Sequence, residues 1–147
     1  MKHLKDIVVE SFFDDDIVDT KQLEKTIRAE IKQFLKDNYR GAGKCKISKK
    51  PNEDGKYVVD CLRGNLTLDG PLSYLTNDTF IFGEVDGDFD VSWGRKLISL
   101  KGAPRKVSNR FACSHCPLLT SLEGAPEEVA IFKCSECENL TSLEGAP

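Results

Sequence analysis

Two cysteine pairs are the residues of this sequence best placed to do chemistry. Cys113-x-x-Cys116 and Cys134-x-x-Cys137 stand apart by an interval that four-cysteine zinc sites use. Four thiolates at that spacing could hold one Zn²⁺ and tie two chain segments together. His115 lies between the first two cysteines. A Cys–His pair can also form an activated nucleophile, which would make a thiol enzyme. Asp86, Asp88 and Asp90 alternate along Val85-Asp-Gly-Asp-Phe-Asp-Val91. They lack the Gly and Glu placement of a calcium-binding loop and read as a solvated strand edge. No glycine-rich phosphate loop follows a strand and opens a helix.

The cysteines also belong to a longer pattern. Phe111-Ala-Cys-Ser-His-Cys-Pro-Leu-Leu119-Thr-Ser-Leu122-Glu-Gly-Ala-Pro126 is followed by Phe132-Lys-Cys-Ser-Glu-Cys-Glu-Asn-Leu140-Thr-Ser-Leu143-Glu-Gly-Ala-Pro147. A looser copy runs from Phe89 through Leu97 and Leu100 to Gly102-Ala103-Pro104. The starts at Phe89, Phe111 and Phe132 lie 22 and 21 residues apart. A period of this length predicts a stacked solenoid, because one coil cannot bury its apolar set alone. In the looser copy the cysteine slots hold Val91 and Gly94, which cannot ligate a metal. The main reading of Cys113, Cys116, Cys134 and Cys137 is therefore core thiols. A zinc-stabilised four-cysteine module, associated with nucleic acid, is the alternative. Equivalent residues on adjacent coils stack about 4.8 Å apart, so Cys113 should lie over Cys134 and Cys116 over Cys137. His115 takes the slot of Trp93 and Glu136, which points to a surface position and not to a base.

Val129, Phe132, Cys134, Cys137, Leu140 and Leu143 follow the leucine-rich repeat phrase. The segment Leu-Thr-Ser-Leu-Glu-Gly-Ala-Pro resembles the short leucine-rich repeats of bacterial effectors. It is closer still to the "LTSLEGAP" repeat proteins of tailed bacteriophages. The resemblance covers residues 85–147. It implies a leucine-rich solenoid with one short parallel strand per coil. It also implies action in the infected bacterial cytoplasm, or packaging in the virion.

Elements that precede the repeats must cap them. Residues 1–19 form an amphipathic and acidic segment, with Leu4, Ile7 and Val8 at helical spacing before Asp14-Asp15-Asp16. It reads as a frayed terminus. The alternative is that residues 1–10 resemble the capsid-targeting peptides of large tailed phages, cut after a glutamate, here Glu10. Residues 20–64 read as a helix plus a hairpin. Leu23, Ile27, Ile31, Phe34 and Leu35 make a helical stripe capped by Asp19 or Thr20 and stopped by Gly41 and Gly43. The stripe is expected to cover the open first coil. Cys45 and Ile47 alternate on one hairpin strand and Tyr57, Val59 and Cys61 on the other, around Pro51–Gly55. Residues 65–147 read as the solenoid. Leu66-Thr-Leu68 is the strand of a decayed first repeat, with Tyr74 in the slot of Leu97, Leu119 and Leu140. The fold class is α+β.

Composition sets the remaining bounds. The chain has 147 residues, 39% hydrophobic and 31% charged, with net charge −3. That charge gives no reason to expect a nucleic-acid or membrane surface. No apolar run reaches the length of a membrane span. No secretory signal is visible, so a reducing compartment and six free thiols are expected. The outward face of the strands is the candidate binding surface: Asp90, Ser92 and Trp93, then Arg110, Ser114 and His115, then Lys133, Ser135 and Glu136. Such a surface predicts a non-catalytic protein–protein interaction module without a cofactor. The repeated phrase closes at Pro147, so the apolar edge of the last coil is expected to associate end to end with a second copy or a partner.

Overall fold

The stripe of Leu23, Ile27, Ile31, Phe34 and Leu35 folds as helix α1, Thr20–Asn38, in a computed structural model that describes residues 20–147. The terminal segment, the Glu10 cleavage site and the Asp19 cap lie outside the described residues. Ile31 and Leu35 are buried, with Ile27 and Phe34 packed beside them. The helix ends at Asn38, before Gly41, where its last carbonyl is taken by a distant loop. Asn38 O accepts from the amides of Asp69 and Gly70 at 2.8 and 3.1 Å. The Asn38 side-chain amide turns back to donate to Phe34 O.

Two short strands follow, β1 (Tyr39–Arg40) and β2 (Cys45–Ile47), separated by a single 3-10 turn. Next come β3 (Tyr57–Cys61), β4 (Leu66–Leu68), β5 (Phe80–Val85), β6 (Phe89–Asp90), β7 (Lys106–Ala112) and β8 (Glu128–Lys133). All join one sheet. β3 pairs in parallel with β5, and β4 with β6. β7 pairs with both β5 and β6, and then with β8. This is a β-solenoid of about four turns. β1 and β2 run antiparallel to β4 and β3 and close its first edge.

Three expectations need correction. First, the solenoid begins at Tyr57 and not at residue 65. The second strand of the predicted hairpin is itself a rung, paired in parallel with β5. The first two coils therefore carry two strand segments each, joined through 62–65 and 86–88, where one per coil was expected. Second, Tyr74 is 54% exposed while Leu75 is fully buried. Leu72-x-x-Leu75 matches Leu97-x-x-Leu100, and Ile98 N donates to Ser73 O across that stack. Third, Cys45 and Cys61 form a disulfide, leaving four free thiols among the described residues. The antiparallel register of β2 and β3 sets these two cysteines opposite each other, within bonding reach.

Like residues stack on like inside the coils. Phe89, Phe111 and Phe132 form a column with ring centroids 5.7 and 5.6 Å apart and nearly parallel planes. Leu97 lines up with Leu119, and Leu100 with Leu122, all fully buried. Edge contacts Phe34–Phe80, Phe80–Phe82 and Phe82–Phe89 carry packing from α1 into this column. The helix therefore covers the first coil, as its stripe requires. Tyr39, buried beside Phe82, donates its hydroxyl to Leu75 O at 2.7 Å, and burial raises its pKa. In the last coil Leu140 is half-buried and Leu143 is 73% exposed.

Gly-Ala-Pro makes the corners. Gly102, Gly124 and Gly145 have φ of +88°, +94° and +89°. A Cβ on Gly124 would lie 2.6 Å from Lys101 N and 2.7 Å from Leu100 C of the coil before. Both conformation and space demand glycine there. Among the described residues no helix is long and apolar enough to cross a membrane.

The disulfide closes a short loop between cap and first coil, with a sequence separation of 16. Loop-closure entropy for that length is about 3 kcal/mol. The Cys45→Ala/Cys61→Ala variant is expected to lose about that much unfolding free energy in urea. Its stability should no longer respond to reductant, whereas that of the parent should.

Candidate functional site

The parallel register lays the outward residues out as a grid. Thr67, Asp90, Ala112 and Lys133 form one column, each paired with the next. Ser92, Ser114 and Ser135 form a second. Ser92 Oγ accepts from Ser114 N at 3.1 Å, and Ser114 Oγ accepts from Ser135 N at 3.2 Å and bonds Ser135 Oγ at 3.0 Å. Ser114 is only 6% exposed, and its hydroxyl ties its coil to the next.

Trp93, His115 and Glu136 form the third column. All three have left-handed backbone, with φ of +65°, +56° and +54°. Such a conformation costs an L-residue about 1–2 kcal/mol relative to its usual wells. It is held by the coil behind: Trp93 N donates to Ser114 O, and His115 N to Ser135 O, both at 2.9 Å. The indole of Trp93 lies flat on the His115 ring, centroids 3.9 Å apart and planes within 5°. His115 Nδ1 stands 3.3 Å from a Glu136 carboxylate oxygen. The other indole face is open, and Trp93 is 63% exposed.

These columns line a groove of about 500 Å³. Of the expected binding residues, Asp90, Ser92, Trp93, Arg110, Ser114, His115, Lys133 and Ser135 all border it. Glu136 does not, and reaches it only through His115. Sequence reasoning missed the wall supplied by Arg40, Thr67, Asp69 and Gly70. Thr67 was legible, because Leu66-Thr-Leu68 already read as a decayed strand. Arg40 carried no signal, since it arrives on an antiparallel strand outside the repeat.

Charges in the groove are partly matched. Arg40 faces Asp69 at 3.6 Å and Arg110 faces Asp88 at 3.8 Å. Arg110 Nε is buried without a hydrogen-bond partner among the described residues. Asp88 also accepts from the Arg110 backbone amide, and Asp86 from the Ser108 hydroxyl. The alternating aspartates thus stitch one coil to the next. Asp90 accepts from Ser92 N at 2.8 Å, but neither it nor Lys133 has an ion-pair partner among the described residues.

The free cysteines lie on the other side of these strands. Cys113 and Cys116 are fully buried. Cys116 Sγ donates to Val91 O at 3.3 Å and Cys137 Sγ to Cys113 O at 3.1 Å, while Cys134 and Cys137 sulfurs stand 3.7 Å apart. Burial raises the thiol pKa of Cys113 and Cys134 and pushes Cys116 up to about 11. Raised thiols stay protonated and are poor nucleophiles. Among the described residues no group of three or more His, Cys, Asp or Glu side chains is arranged to hold a metal ion. The His115 ring is engaged with Trp93 and Glu136.

Fold and groove together define a class: a short parallel β-solenoid, closed at one edge by a helix and two separate antiparallel strands, with a polar groove bearing an exposed tryptophan. Comparison with protein-family models, with curated proteins and with solved structures gives no match.

Two outcomes follow from this geometry. The unfolded chain releases its Cys116 proton near pH 9, and the folded chain only near pH 11. The stabilisation is therefore complete below about pH 9 and is lost as pH rises toward about 11. Urea denaturation across that window should show the loss, with a shallower slope for Cys113→Ala/Cys116→Ala. Trp93→Gly should leave stability within about 1 kcal/mol of the parent, because relief of the left-handed conformation offsets loss of the ring stack.

Proposed function

We propose that this chain is a non-catalytic recognition module of the leucine-rich, phage type, and that it engages a protein partner across the groove. The observation that carries this reading is Trp93. It is the only tryptophan in the chain, and a left-handed turn holds it with one face open. Glycine would sit at that turn at lower cost. Strain of this kind is retained where a side chain has a task, and a rigid, half-covered tryptophan is the commonest kind of interface anchor. The buried thiols of Cys113 and Cys116 support a core role for these cysteines, and the groove is the surface open to a partner.

The test is site-specific photo-crosslinking from position 67 in the full chain, with Trp93 intact or replaced by glycine. The expected result is a discrete protein adduct that disappears with Trp93→Gly. Binding of the purified partner should weaken by about thirtyfold or more in that variant. Equal crosslinking or binding in the folded Trp93→Gly variant would sink the reading.

A further inference from the structure

The Trp93 column is missing one rung. Leu66 pairs with Phe89 and Thr67 with Asp90, but Gly70 leaves the ladder, and a Cβ on it would run into the Asn38 side chain, away from Trp93. Gly70 has no side chain, and its amide is turned to Asn38 O at 3.1 Å. The indole face opposite His115 opens into the groove that Gly70 also borders, with no ring stacked on it. The vacancy accepts a planar group.

Charge selects the group. Asp90 borders the same space and has no cation among the described residues, whereas Asp69 is already paired with Arg40. A guanidinium is flat, stacks on indole more favourably than on any other side chain, and bonds carboxylates through a fork of N–H groups. Two coils further along the same column stands Lys133, without an anion among the described residues. Arg110 is beside it in the groove. Ala112 lies between Asp90 and Lys133 in that column and borders the same groove with only a methyl side chain. Two coil steps of about 4.8 Å equal about three residues of extended chain.

We infer that the groove takes an extended peptide segment that places an arginine on the open face of Trp93, against Asp90, and an aspartate or glutamate about three residues away, against Lys133. This rests on the reading of the groove as a protein-recognition surface and names the chemistry recognised there.

The experiment is to pan a random-peptide display library on the full chain and measure the selected peptides by titration calorimetry. Enriched peptides should share an arginine and an acidic residue at about that spacing. Citrulline, flat but uncharged, in place of the arginine should weaken binding about fivefold or more. Lys133→Glu should weaken the same peptides several-fold and regain affinity when the peptide acid is changed to lysine. Enriched peptides that need Trp93 but lack arginine, or bind equally with citrulline, overturn the inference and leave the module reading standing. A library that yields only peptides indifferent to Trp93→Gly, while a neutral oligosaccharide shifts Trp93 emission, overturns both.

Discussion

Parallel, in-register stacking of coils is the constraint on which the rest of this structure depends. Each position must fit the same position one coil away, at strand spacing. Phenylalanine meets that demand with nearly coplanar rings, from Phe89 to Phe111 to Phe132. Serine meets it by a hydroxyl that accepts from the next amide. Glycine meets it at the corners, where Gly124 passes against the backbone of Leu100 and Lys101. Coil spacing is not rigid. The offset falls from 22 between Val85 and Val107 to 21 between Phe111 and Phe132, and the sheet absorbs the missing residue between Val107 and Arg110.

A stack of this kind must be ended, and the ending creates the groove. Helix α1 and the antiparallel β1 and β2 lie over the first coil. Their connection at Asn38 draws Asp69 and Gly70 away from the ladder. That departure leaves the first-coil side of Trp93 open and brings Arg40 to the rim. Capping and site formation are thus one event. The cap is further tied down by the Cys45–Cys61 disulfide and by the buried Tyr39 hydroxyl.

The ion pairs of the groove contribute position more than stability. Arg40–Asp69 is exposed on both sides, and pairs of that kind are worth about 0–1 kcal/mol. They leave Asp90 and Lys133 as the unmatched charges, two coils apart on a flat column. The aspartates at 86 and 88 have a different task, since each bonds a residue of the following coil.

The sequence by itself determined the repeat, the inward leucines and phenylalanines, the helix stripe and the outward residues from Asp90 to Glu136. These follow from periodicity, because a side chain repeated at coil spacing has one environment in every copy. Tertiary structure decided what lies between unlike elements. Tyr57–Cys61 is the hairpin strand that local pattern made it and a coil strand as well, because a strand can pair on both edges and sequence alternation does not show the second partner. The Cys45–Cys61 bond, the burial of Leu75 in place of Tyr74, and the wall of Arg40 and Gly70 likewise depend on register between non-repeating segments. Such register is set by packing of the whole cap against the stack, and no short stretch of sequence encodes it.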